Sequence, residues 1–124
     1  MLIKIDFESE TAIYIQLRNE IIKGIAKGEL QEGENLPSVR QLAGDIGINM
    51  HTVNKAYALL KEDGFINMDR RKGAVIGSMK NMITDEYKEK LNEEMDAIIA
   101  EVYCRGMSEE EFINMCREKF KLYK

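Results

Sequence analysis

The 124-residue sequence predicts a mainly α fold that carries one small β-hairpin and ends in a pair of helices. Three observations predict it. Apolar residues recur at helical spacing in two short stretches on either side of Gly47. Two short apolar runs after Gly64 flank a basic pentapeptide. The last 46 residues hold two apolar seams separated by Gly106. At roughly 100–200 residues per domain, the length allows one domain, or a small domain with an extension. Apolar residues make up 44% and charged residues 32%, an ordinary globular balance that argues against wholesale disorder.

At the start, Ile3, Ile5 and Phe7 alternate with Lys4, Asp6 and Glu8. Period two predicts a short half-buried strand or an extended arm. Tyr14, Leu17, Ile21 and Ile25 then fall at i, i+3, i+7 and i+11. That stripe predicts a helix over about 13–27, stopped by Gly28, and Gly33 punctuates the chain again five residues later. The single proline, Pro37, suits a first helical turn, where its missing N–H costs nothing. A short helix is therefore expected over about 38–45, packed through Val39, Leu42 and Ala43. Gly47 marks a tight turn. Asn49 is a good N-cap for a helix over about 50–63, whose apolar face reads Val53, Ala56, Tyr57 and Leu60. Gly64 stops it. The runs Phe65–Met68 and Ala74–Ile76, joined by Asp69-Arg70-Arg71-Lys72-Gly73, predict a hairpin with a five-residue basic tip.

In the tail, Tyr87, Leu91, Met95, Ile98 and Val102 form one seam at 4-4-3-4 spacing, and Gly106 ends that helix. Ser108 and Glu111 make a capping box for a second helix with Phe112, Met115, Cys116, Phe120 and Tyr123 on its apolar face. The chain thus reads as residues 1–78 followed by a helical tail, 79–124. The first part holds 10 basic and 11 acidic residues and the tail 8 and 11, so acidity concentrates in the tail.

Composition excludes several functions. With 18 basic against 22 acidic residues and a net charge of −4, bulk positive charge cannot hold this chain to nucleic acid or membrane, although a local patch can. No apolar run approaches the roughly 20 residues of a membrane helix. Residues 1–10 lack the apolar core of a secretory signal, so a cytosolic location is expected. Cys104 and Cys116 do not make a disulfide framework, and neither has a metal-ligand partner at short spacing. His51 is the one histidine. No HExxH, P-loop or GxSxG motif occurs, so no metal, cofactor or enzymatic centre is expected. The densest acidic run, Glu109 to Glu111, is accounted for as first-turn residues complementing a helix dipole.

Two helices joined at Gly47 and followed by a basic-tipped hairpin make a winged helix-turn-helix, an architecture that sets its second helix in the DNA major groove. The second helix is split as that use requires. Val53, Ala56, Tyr57 and Leu60 face inward, while Asn49, His51, Thr52, Asn54 and Lys55 form an outward polar set near its start. Free N–H groups at that end favour a phosphate. Residues 38–73 carry six basic and four acidic side chains, a local excess of +2. The small excess predicts modest affinity per subunit with a steep salt dependence. A winged helix that binds protein instead of DNA is the alternative that the net charge motivates. The apolar tail predicts a homodimer, because a 46-residue helical pair cannot bury two apolar faces within itself.

A longer string sharpens this reading. Ile13-Tyr14-Ile15-Gln16-Leu17, Gly28-Glu29-Leu30-Gln31-Glu32-Gly33, Leu36-Pro37-Ser38-Val39-Arg40-Gln41-Leu42-Ala43, Asn49 through Tyr57, Leu60 and Glu62-Asp63-Gly64-Phe65-Ile66 resemble the GntR family of bacterial transcription regulators over residues 3–77. The two-helix tail is similar to that of the YtrA-type subfamily. The resemblance implies a homodimeric DNA-binding regulator, expected to repress by occluding a promoter at a pseudo-palindromic operator. It further implies that Ser38 and Arg40 touch the DNA backbone or nearby bases, that Thr52 contacts phosphate, and that Arg70, Arg71, Lys72 and Gly73 form the wing tip. It implies that the tail dimerises, with Tyr87, Leu91, Met95, Ile98, Val102, Phe112, Met115 and Phe120 as the expected interface. The YtrA-type resemblance also implies a target operon that includes the regulator's own gene and often an ABC transporter. The chain departs from the wider family where Met50 and Asn54 stand in place of arginines, and where Arg71 replaces the first glycine of the wing. Asparagine suits adenine whereas arginine reads guanine bidentately, so fewer recognised G·C pairs are expected at those positions.

Overall fold

The computed structural model describes residues 3–123. Its first helix, α1 (Ile13–Ala26), buries Leu17 and Ile21 completely, with Tyr14, Ile22 and Ile25 packed at the margin of the core. No side chain caps α1 at Ala12. Gln16 works there instead. Its amide donates to the carbonyls of Asp6 and Thr11 at 2.9 and 2.8 Å and accepts the Asp6 N–H at 2.8 Å. Glu20 accepts the Lys4 N–H at 3.1 Å. These bonds lay the start of the chain along α1 as an extended arm, not a strand. The expected alternation ends early: Ile3 and Ile5 pack against the core, but Phe7 stands 60% exposed in a turn.

A second helix, α2 (Val39–Ile46), starts where the Ser38 Oγ accepts the Gln41 N–H at 3.1 Å. The cap therefore belongs to Ser38, and Pro37 lies just before it, outside the first turn in which the sequence placed it. Gly47 closes α2 at φ 81°, a left-handed conformation that glycine adopts without a Cβ clash. Two residues later the Asn49 side chain accepts the His51 N–H at 2.7 Å and opens α3 (Met50–Glu62). Val53, Ala56, Tyr57 and Leu60 are buried on α3 and meet Leu42 and Ala43 of α2 in the core. The Tyr57 hydroxyl donates to the Pro37 carbonyl at 2.7 Å. That bond ties the entrance of α2 to the middle of α3.

Strands β1 (Ile66–Asp69) and β2 (Gly73–Ile76) pair antiparallel in the register Ile66↔Ile76 to Asp69↔Gly73. Because Asp69 and Gly73 pair, the connecting loop is three residues long, Arg70 to Lys72, and not the expected five. Phe65 precedes the strand and is half-buried. Residues 33–36, which read as punctuation in the sequence, supply a second edge for β2. Gly33 donates to Ile76 at 2.9 Å, Ile76 to Glu34 at 2.8 Å and Leu36 to Ala74 at 2.9 Å, with Asn35 bridged to Val75. β2 is hydrogen-bonded on both sides, and its Ala74 and Ile76 are buried with Ile66 of β1.

The chain divides into two compact units after Lys80. In the second unit, the Thr84 Oγ1 accepts the Tyr87 N–H at 3.0 Å and caps α4 (Asp85–Cys104). Gly106 turns the chain at φ 88°. Ser108 then caps α5 (Glu109–Phe120) by accepting the Glu111 N–H at 3.1 Å. The last described turn, Lys121–Tyr123, is 3₁₀, so Tyr123 falls beyond α5. Neither tail helix buries a residue.

Burial pushes the Tyr57 hydroxyl up to about 12, because a phenolate there loses its hydration. The folded state holds that proton more tightly than the unfolded chain, whose tyrosine titrates near 10, so this contribution is intact below pH 10 and lost as pH rises toward 12. Urea melts should show Tyr57→Phe less stable at neutral pH by about 1 kcal/mol, the net worth of one hydrogen bond. Between pH 10 and 12 the parent should lose roughly 2 kcal/mol more than Tyr57→Phe.

Candidate nucleic-acid interface

With Val53, Ala56, Tyr57 and Leu60 turned inward, the rotation of α3 about its axis is set. Met50, His51, Asn54 and Lys55 are thereby exposed, and Thr52 is half-buried. Asn49 is exposed and spends its side-chain oxygen on the cap; its amide N–H groups remain outward donors. The first turn of α3 holds no acidic residue, so nothing there opposes an incoming phosphate at the positive end of the helix dipole.

Lys55 departs from the expected arrangement. Its Nζ lies 4.0 Å from the centre of the Tyr14 ring, which draws the ammonium toward α1 through the ring's negative face. Met50, at the first helical position, is 44% exposed and places a flexible apolar side chain where the rest of the set is polar. An Arg18–Asp63 ion pair at 3.4 Å joins α1 to the end of α3. Both groups are partly solvated, so the pair is worth about 0–1 kcal/mol.

Ser38 and Arg40 lie at the start of α2; Arg40 is exposed. The Ser38 oxygen accepts an amide N–H, which leaves its own O–H free to donate. Arg40 has no ion-pair partner among the described residues. On the hairpin, Arg70, Arg71 and Lys72 are exposed side by side, and they too lack such partners among the described residues. Gly73 closes the loop at φ 81°.

Two residues outside the sequence-predicted set shape this tip. The Asp69 carboxylate accepts the N–H groups of Arg71 and Lys72 at 2.7 and 2.9 Å. The Lys72 amide, then the Arg71 amide, hold its carboxyl below the usual aspartate range, and the Lys72 charge adds to them. Asn35 donates its side-chain N–H to the Lys72 carbonyl. Aspartate just before a short turn is a readable signal. Asn35 gives none, since its partner lies 37 residues away.

In the tail, Tyr87, Leu91, Met95, Ile98, Met115 and Phe120 are exposed, while Val102 and Phe112 are half-buried with Met107 and Cys116. Ile83, Ile99, Tyr103 and Ile113 widen the exposed apolar surface beyond the expected seam. Among the described residues no group of three His, Cys, Asp or Glu side chains can hold a metal ion, and no helix is long and apolar enough to cross a membrane.

Residues 11–76 match the family model described as bacterial regulatory proteins, gntR family. A similar protein is the HTH-type transcriptional repressor YtrA of Bacillus subtilis, 31% identical over 118 residues, covering 94% of this chain and 91% of that protein. Among solved structures, YtrA from Sulfolobus acidocaldarius is 42% identical, with a TM-score of 0.69, over 81% of this chain and 99% of that one. The structure of a protein named as a transcriptional antiterminator from Listeria monocytogenes EGD-e reaches a TM-score of 0.93 at 27% identity, over 100% of this chain and 94% of that one. The family match runs from α1 through β2 and so takes in the whole winged helix-turn-helix. The molecule is a DNA-binding transcription regulator and not an enzyme. The chain belongs to the GntR family of bacterial regulatory proteins, in its YtrA-type branch.

Proposed function

We propose that the protein is a homodimeric repressor, acting in the cytoplasm, that occludes a promoter by binding a pseudo-palindromic operator. One observation carries this reading: α3 buries a single stripe and leaves the opposite side of its first two turns exposed and free of acidic side chains. In this reading α3 enters the major groove. Asn49, His51, Thr52 and Asn54 meet base edges and phosphates, and Lys55 approaches phosphate from the flank beside Tyr14. Ser38 and Arg40 grip the backbone, and Arg70, Arg71, Lys72 and Gly73 hold the adjoining backbone or minor groove. Phosphate contacts set orientation and base contacts set sequence preference.

The dimer is supported by the tail. Leu91, Met95, Ile98 and Phe120 are each more than a third exposed in the single chain, and apolar area of that kind is stabilised by association. Two α3 helices would read half-sites separated by one helical turn of DNA, about 34 Å, or a multiple of it. Light scattering at micromolar concentration should give the mass of two chains. Leu91→Glu with Ile98→Glu should give one chain and weaken operator binding by at least about tenfold, since each head then binds alone.

Anisotropy titrations on DNA fragments selected from the genome should show saturable, sequence-dependent binding that weakens steeply with salt. Charge reversal at Arg40, Arg70 and Lys72 together should reduce affinity by about a hundredfold or more at roughly 0.1 M salt. An unchanged affinity would favour a winged helix that binds protein instead.

Asn54 offers adenine a donor and an acceptor, whereas an arginine there would suit guanine. Binding-site selection should move the preferred base from adenine to guanine at one position per half-site for Asn54→Arg, and lose preference there for Asn54→Ala.

A further inference from the structure

We propose that Asn35 and Asp69 are positioning residues that clasp the wing loop and hold Arg70, Arg71 and Lys72 in one arrangement against DNA. The inference rests on the DNA-binding reading and deepens it.

Three adjacent cations repel one another, and a three-residue exposed loop has no packing to restrain it. Left to itself such a loop samples many arrangements, and binding must then order it at an entropic cost. Two side chains from outside the loop prevent this. Asp69, at the end of β1, accepts both the Arg71 and Lys72 N–H groups at 2.7 and 2.9 Å. Asn35, bridged to Val75 on the other edge of β2, donates to the Lys72 carbonyl. Lys72 is therefore held through its N–H from the end of β1 and through its carbonyl from the segment at residues 33–36. Gly73 then turns at φ 81° with open space around it, so the turn demands glycine for backbone conformation and not for room. The bonds all act on backbone atoms, which leaves the three cationic side chains free.

The sign of the Asp69 effect separates this from simple electrostatics. A carboxylate among phosphate contacts repels DNA, so charge alone says that removing it tightens binding. The clasp says that removing it loosens binding, because the loop loses its order.

The test uses the full chain and a labelled duplex that it selects from a random pool. Asp69→Ala and Asn35→Ala should each weaken binding by about fivefold to tenfold, the scale of one or two lost hydrogen bonds. Each should also flatten the slope of log affinity against log salt by about one unit, one phosphate contact. Asp69→Asn, which keeps an accepting oxygen, should stay within about twofold of the parent. In a chain with Arg70, Arg71 and Lys72 all replaced by Ala, Asn35→Ala and Asp69→Ala should have no further effect. Tighter or unchanged binding by Asp69→Ala overturns the proposal, as does an Asn35→Ala loss that persists without the cations. Amide exchange decides the clasp without DNA: the Arg71 and Lys72 amides should exchange at least about tenfold faster in Asp69→Ala than in the parent. Equal exchange overturns the clasp. Failure of the parent to select any duplex counts against the DNA-binding reading alone, and the exchange measurement still judges the loop.

Discussion

A helix can turn only one stripe toward a core, and in α3 that stripe is filled without remainder. Val53, Ala56 and Leu60 have no exposed surface and Tyr57 almost none. A fully buried Val or Leu is worth about 1.5–3 kcal/mol over its exposed state. Rotating α3 enough to expose both would cost much of the stability a small domain has. The direction in which Asn49, His51 and Asn54 point is therefore decided by groups on the opposite side of the helix. The Tyr57–Pro37 hydrogen bond extends the same constraint to α2: it fixes where the chain enters Ser38, and so where Arg40 stands relative to α3.

The hairpin obeys a related rule in another geometry. A two-stranded ribbon is marginal on its own in water. Here β2 sits between β1 and the segment at residues 33–36, and Ile66, Ala74 and Ile76 anchor the ribbon in the same core that holds α3. The helix and the basic loop are thus two projections from one apolar centre. Their relative position follows from packing, which is how a domain this small presents two separate groups of donors as a unit.

Periodic features were legible in the sequence and long-range polar ones were not. Apolar spacing set α1, α2 and α3 to within a residue or two and located both tail helices, and Asn49, Ser108, Gly47 and Gly106 announced helix ends, because caps and left-handed stops depend on local backbone chemistry. The inward set of α3 was readable for the same reason. Three features were not. Phe7 continues an alternating pattern, yet lies exposed because Gln16 gathers Asp6 and Thr11 into a turn. The pairing of residues 33–36 with β2 has no period of its own in so short a segment. Lys55 reads as an outward cation, and nothing near it in sequence reports that Tyr14, on another helix, supplies a ring beneath its ammonium. Each miss rests on contacts between residues of different segments, which no local spacing reports.

The distribution of charge distinguishes residues 1–78 from residues 79–124. The head is nearly neutral, with 10 basic and 11 acidic residues up to Ser78, and its excess of +2 is confined to residues 38–73. The tail carries 8 basic and 11 acidic residues, which disfavours its own approach to DNA. A head whose basic residues are nearly matched by acidic ones, with only a small local excess, holds DNA with modest affinity by itself. Linking two heads makes the second contact intramolecular, at an effective concentration that can reach the millimolar range. The modest head and the exposed apolar seam of α4 and α5 are then complementary. Neither the charge of one unit nor the surface of the other suits a solitary chain, and the proposed dimer supplies what each lacks.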